Sequence, residues 1–177
     1  MSDVMTASPT RFNVAPGPEL RRWVLQGRDA ALAAGAKAFG LSAVPEMLQA
    51  AQGANGTAVR LGPHELVFFV TPDKAATVTA AWTKGLKNIP SSLVEISDRQ
   101  VAFDLVGQDV EEVLRNLSPL DFNIAAFPVG MATRTLLAKA DGMLWRTGTD
   151  SFRLEVWGSF ASYVTELLKK AAWDVRF

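Results

Sequence analysis

Val101, Phe103 and Leu105 alternate with Ala102, Asp104 and Val106, a period of two that predicts a strand. Gly107 turns the chain, and Val110, Val113, Leu114 and Leu117 then follow the i, i+3, i+4, i+7 spacing of a helix buried along one stripe. Met131 to Ala138 reads as a strand, Asp141-Gly142 as a type I′ hairpin turn, and Met143 to Thr147 as the return strand. Phe152, Leu154 and Val156 alternate with Arg153 and Glu155 in one more strand. Ser159 stands where a cap is needed for a last helix carrying Phe160, Tyr163, Val164, Leu167, Leu168 and Ala171, and Trp173 to Phe177 reads as a short final strand.

The preceding half carries a similar order. Leu20 to Gln26 reads as a strand, and Asp29 to Phe39 as a helix of strong formers that Gly40 ends. QGANG at 52–56 reads as a loop. Thr57 to Leu61 and Leu66 to Thr71 form a hairpin about Gly62-Pro63-His64-Glu65. Asp73 to Leu86 follows as a helix with Ala75, Val78, Trp82 and Leu86 on one face, and Leu93 to Ile96 closes the half as a strand. Residues 1–19, with Pro9, Pro16 and Pro18 and no periodicity, read as an extended arm. The expectation is an α+β fold of β-α-β-β-α-β twice over, a duplicated ferredoxin-like domain spanning 20–177 with halves near 20–97 and 98–177 and no residue-level repeat between them.

Composition narrows the function. The 177 residues include no cysteine, which removes disulfides, thiolate metal sites and cysteine nucleophiles. Eighteen basic residues balance eighteen acidic ones, so no basic field draws nucleic acid or anionic membrane, and Arg21-Arg22 and Lys169-Lys170 read as solvated pairs. MSDVMTASPTRFN lacks the apolar run of a signal peptide and no later run is long enough to span a bilayer, so the expected location is cytoplasmic. A hydrophobic share of 49%, a mean hydropathy of +0.12 and five tryptophans point towards a permanent partner. The Ala-rich AALAAGAKAF at 30–39 offers a plainer account of the same numbers.

The candidate chemistry is sparse. His64, the single histidine, sits in a Gly-Pro turn where exposure is commoner than catalysis. Asp104 reads as the polar side of a strand, Asp109 as a helix-start acid, Asp141 as a turn acid, and Asp121 as a group bonding its own backbone just past a helix; Asp150 completes the carboxylates weighed. The glycines at 35–40 and 53–56 lack the context of phosphate-binding loops. Trp23, Trp82, Trp145 and Trp173 fit core or interface positions, and Trp157 lies at a strand end, suited to an interface. No catalytic, cofactor-binding or metal residue is assigned.

VEISDRQVAFDLVGQDVEEVLRNLSPLDF at 94–122, AFPVGMATRTLLA at 126–138, SFRLEVWGSFASYVTELLKKAA at 151–172 and LGPHELVFFV at 61–70 together resemble the gamma subunits of heterotetrameric sarcosine oxidases over roughly residues 57–173. His64 and Leu66 depart from that pattern, which often has Asp and Trp there. The resemblance implies a fold like the folate-binding domain of the glycine cleavage T-protein, and partners in the form of alpha, beta and delta subunits. It also implies that FAD, FMN, NAD, zinc and tetrahydrofolate belong to those partner chains, with no catalytic residue carried over to this one. On this expectation SPLDFNIAAFPVGMATRTLLA at 118–138 is a joint between halves, with Asp121 as a local cap and Thr133, Arg134 and Thr135 on the strand after it. The alternatives are the equivalent subunit of a complex acting on another N-methylated amino acid such as N-methylglutamate, a stand-alone folate-binding aminomethyltransferase, and an amino-acid sensor. A chain ending at Phe177 is expected to leave no room for the transferases' additional C-terminal domain.

Overall fold

The computed structural model describes residues 11–175, so the first ten residues of the expected arm and the last two of the expected final strand lie outside it. The chain runs β1 (Asn13–Pro16), β2 (Arg21–Gly27), α1 (Asp29–Phe39), β3 (Ala50–Gly53), β4 (Gly56–Gly62), β5 (Glu65–Val70), α2 (Ala75–Gly85) and β6 (Ser91–Glu95). It continues with β7 (Gln100–Val106), α3 (Val110–Arg115), β8 (Ala132–Leu137), β9 (Ala140–Gly148), β10 (Ser151–Trp157) and α4 (Ala161–Asp174). Two five-stranded sheets result, ordered β3-β4-β5-β2-β6 and β1-β7-β10-β9-β8, with every pairing antiparallel.

Period-two alternation gives each sheet two apolar faces, and the faces find different partners. Trp23, Leu25, Leu66 and Phe68 point towards α1 and α2, where Leu32, Ala36, Val78 and Trp82 complete one core. Leu105, Leu144, Phe152 and Leu154 pack beneath α3 and α4 against Val113, Leu114, Val164 and Leu168. The opposite faces meet each other: Val59, Val67 and Phe69 of one sheet contact Ala132 and Met143 of the other. Four layers follow, with a helical layer outside each sheet. Trp82 anchors the first core. Its indole N–H donates to the Gly35 carbonyl at 3.0 Å, and its ring lies 4.8 Å from Phe68 and stacks 5.8 Å from Phe39.

Contrary to expectation, the two halves do share a residue-level repeat, carried by their strand registers. In β4–β5 Arg60 opposes Leu66 and Gly62 opposes Glu65; in β9–β10 Arg146 opposes Phe152 and Gly148 opposes Ser151, and the ladder slips at the same place in both hairpins. Short 3₁₀ turns, Pro72–Lys74 and Gly158–Phe160, then lead into α2 and α4, where Val78 and Val164 are fully buried. Leu48 and Gly130 occupy matching places before β3 and β8, and both are left-handed, with φ of 60° and 92°. Only small apolar anchors, backbone-specific glycines and one arginine repeat, too few to stand out along the chain.

Several boundaries differ from expectation. QGANG is the β3–β4 hairpin, with Gly53 opposite Gly56. Asp141 and Gly142 lie inside β9, opposite Leu136 and Thr135, and the chain reverses between Leu137 and Ala140, with Ala138 at φ 50°. Three ladder pairs beyond Arg134–Met143 result, and the last of them, Leu137 opposite Ala140, is fully buried beneath the helices. Ser159 is in the 3₁₀ turn and makes no cap; α4 instead continues from that turn and extends through Trp173 and Asp174, where a strand was expected. Residues 13–16 of the supposed arm form β1.

Gly56 has φ +138°, and a Cβ there would lie 2.1 Å from the Phe69 carbonyl oxygen. Gly56→Ala is therefore expected to cost about 1–3 kcal/mol. Its counterpart Gly142 has no positive φ, and a Cβ there would meet side-chain atoms of Leu154 and Leu137 at 3.0 and 3.1 Å, so Gly142→Ala costs less. Urea unfolding of both variants measures the difference.

Candidate functional site

Two regions concentrate polar groups inside this apolar frame, and the first is the loop from Ser118 to Met131. Its organiser is Arg146, on the helix-facing side of β9 and 1% exposed. The guanidinium donates to the carbonyls of Phe122 at 2.8 Å and Phe127 at 3.0 Å, reaches the Gly148 and Thr149 carbonyls, and pairs with Glu111. It also lies 4.9 Å from the centroid of Phe152, which forms a mutual cluster with Phe122 and Phe127. A cation can be buried here because five donors on a planar fork meet carbonyls arranged around it. Within the loop, Asp121 Oδ1 accepts from the Asn123 N–H and Asn123 Oδ1 from the Ala125 N–H, each at 2.9 Å, the local bonding expected of Asp121. Ser118 and Thr135 join hydroxyls at 2.8 Å.

The loop's far end carries the connection between halves. The Ala50 N–H donates to the Gly130 carbonyl and the Ala132 N–H to the Leu48 carbonyl, both at 2.8 Å, with Gln49 opposite Met131 in an isolated bridge. Arg60, the counterpart of Arg146, reaches the Pro45 carbonyl in the matching loop at 3.5 Å and the Pro63 carbonyl in the β4–β5 turn at 3.2 Å.

The second region is a cleft of about 600 Å³ between the inner faces of the sheets, under the edge strands β6 and β8. Val24, Met143, Leu136, Val94 and Trp157 give it an apolar lining, and the last three are about half exposed, at 48%, 52% and 46%. Arg134 spans the sheets to pair with Glu65, and the Arg99 guanidinium lies 4.7 Å over the Trp157 ring. At the base, Arg22 Nε donates to Glu155 at 2.6 Å and Nη2 to the second carboxylate oxygen at 3.3 Å, joining the sheets by a bidentate pair that is almost wholly buried. Desolvation pushes the Glu155 carboxyl above its ordinary range; the Arg22 guanidinium pulls against it, with Arg153 adding to that pull and Asp104 opposing it. The cleft can hold an apolar group against Trp157, while Glu155 is held in its ion pair.

The carboxylates weighed from sequence do not converge. Asp104 pairs with Arg153 at 2.9 Å and Asp109 with Arg11 at 2.8 Å, Asp141 borders the cleft, and the Asp150 carbonyl accepts from the Gly107 N–H. His64 is exposed in its turn. Among the described residues no three His, Asp or Glu side chains gather as a metal site would require. Trp23 and Trp82 are core, Trp145 stacks on Phe69 between the sheets, Trp157 faces the cleft and Trp173 is 62% exposed on α4. Arg22 is the correction: far from solvated, it is 5% exposed. It shares strand parity with Val24, as Glu155 does with Arg153, and opposite charges at inward positions of two apolar strands were the signal that could have paired them.

Breaking this pair leaves a buried charge, so Arg22→Met or Glu155→Leu alone is expected to cost about 3–5 kcal/mol, while Arg22→Met with Glu155→Leu costs less than either. Because the folded carboxyl is raised, its favourable contribution is complete below the unfolded value, about 4.3, and is lost as pH rises through the folded value. The stability of the parent relative to Glu155→Gln should therefore fall as pH rises from about 4 towards neutrality. Urea titrations across that range check the sign.

The family model for the sarcosine oxidase gamma subunit matches residues 26–174. The gamma subunit of Corynebacterium sp. (strain P-1) is 31% identical over 137 residues, 77% of this chain and 66% of that one. The gamma subunit of Arthrobacter sp. is 32% identical over 121 residues, 68% of this chain and 59% of that one, so the chain spans less than two thirds of the length of either relative. A chain of the heterotetrameric sarcosine oxidase from Corynebacterium sp. U-96, solved with pyrrole 2-carboxylate, superposes with a TM-score of 0.83 at 23% identity, covering 93% of this chain and 85% of that one. The glycine cleavage aminomethyltransferase T of Bartonella henselae superposes with 0.65 at 13% identity over 90% of this chain and 46% of its own, which shows a shared fold. The match along most of the chain, in a fold whose repeat explains the paired arginines, establishes that it belongs to the sarcosine oxidase gamma subunit family.

Proposed function

We propose that this chain is the gamma-type subunit of a heterotetrameric, flavin-dependent sarcosine oxidase, which demethylates sarcosine oxidatively to glycine and passes the one-carbon unit to tetrahydrofolate. In this reading the chain acts as a scaffold: alpha, beta and delta partners hold FAD, FMN, NAD, zinc and tetrahydrofolate, and the reacting groups are theirs. The observation that carries it is the family match over most of the chain.

The structure is consistent with that role in two respects. The buried polar groups described above are spent on alignment, with Arg146 tied to loop carbonyls and Glu155 tied to Arg22. The half-exposed Val94, Leu136 and Trp157 supply the apolar area that a permanent partner covers. No described helix is long and apolar enough to cross a membrane.

Native mass spectrometry of the chain tagged in its own cell, with a visible spectrum of the same sample, tests the proposal. Four unlike chains with flavin absorbance are the expected result, and a colourless monomer or homo-oligomer would reject it. Sarcosine and N-methylglutamate, assayed side by side on the complex, then separate this reading from the alternative of a complex acting on N-methylglutamate; turnover of sarcosine is expected to dominate.

A further inference from the structure

The internal repeat has one member out of sequence. β6 pairs with β2 so that Ser92 opposes Gln26 and Glu95 opposes Trp23. In the second half the matching place beside β7 is taken by β1, from the other end of the chain, with Asn13 opposite Val106 and Pro16 opposite Phe103. The substitution is in register. Ile96, one residue past β6, donates its N–H to the Arg22 carbonyl at 2.8 Å, and Gly17, one residue past β1, donates to the Ala102 carbonyl at the same 2.8 Å. The final strand expected after α4 is thus supplied by residues 13–16.

The seat for this strand is specific. Phe12 is 8% exposed and packs in the core with Leu105, Val110 and Val113. The Arg11 carbonyl accepts from the Asp109 N–H at 2.9 Å, and its guanidinium pairs with the Asp109 carboxylate. Gly107, at φ +137°, leaves room for that carbonyl, since a Cβ there would stand 2.3 Å from it; at the other end a Cβ on Gly17 would stand 2.6 Å from Ala102 Cβ. Arg11 also borders the same surface hollow as Asp174 and Val175, so the start of β1 lies near the end of α4.

We propose that the outer edge of β7 is a peptide-binding site whose ligand is an extended segment with an aromatic anchor, small apolar residues and a closing glycine, filled in cis by Phe12–Gly17. The site recognises the strand by main-chain pairing and by the Phe12 pocket, so continuity with β2 is not required. This is independent of the subunit reading.

A protease site placed between Pro18 and Glu19 of the full chain tests it. After cleavage the fragment of residues 1–18 should remain bound in native mass spectrometry, with the melting transition retained. Release of the fragment with the melting temperature unchanged would overturn the proposal. If the cleaved chain instead precipitates, a permuted full chain decides: residues 1–18 are moved behind Phe177 through a short Gly-Ser linker, leaving Glu19 first. Cooperative melting close to the parent's then supports the site, and a permuted chain that does not fold rejects it.

Discussion

Two main-chain hydrogen bonds, Ala50 to Gly130 and Ala132 to Leu48, set the relation between the halves of this molecule. Sheets that face each other through apolar side chains slide and rotate cheaply, because hydrophobic contact has no direction. A reciprocal pair of N–H···O bonds across an isolated bridge has direction and fixes the register of one sheet on the other. The loops on either side must then be held still, which is the work of Arg60 and Arg146. Leu48 accepts a left-handed backbone there, a conformation that costs an ordinary residue about 1–2 kcal/mol, where its counterpart is glycine. Strain is tolerated at the point where the geometry is most constrained.

The charges between the sheets follow the same logic. Arg22 with Glu155 and Arg134 with Glu65 cross from one sheet to the other, while Arg153 with Asp104 joins neighbouring strands of one sheet. A raised Glu155 carboxyl means that burial outweighs what Arg22 returns, so this pair is better understood as fixing alignment than as a source of net stability. An apolar interface alone would permit several packings of similar energy. A bidentate guanidinium–carboxylate contact permits one.

Much of this was legible beforehand, and the failures share a cause. The alternation at 101–106 and the helical stripe from Val110 to Leu117 produced β7 and α3, because one buried face imposes its period on the sequence. Asp141-Gly142 differs from expectation because local turn chemistry favours a reversal at that pair, while burial of Leu137 and Ala140 extends the ladder three pairs past Met143 and moves the reversal to residues 138–139. Arg22, Glu155 and Arg146 do not stand out in the sequence as buried, paired charges because their partners are distant in the chain, and composition treats a paired buried charge and a solvated one alike. The same holds for β1: nothing between residues 12 and 17 announces that its neighbours are at 103–106.

That displaced strand has a consequence for biosynthesis. The first sheet draws only on residues 21–95 and can close while the rest of the chain is still being made. β1 is translated before any of it, yet its seat is built from β7, α3 and the core beneath α4. Its segment therefore has no partner strand until residues 100–106 have been made. Pro16, which cannot donate to a ladder, and the Gly17-Pro18 exit suit a strand that has to stay uncommitted on the ribosome until its place exists.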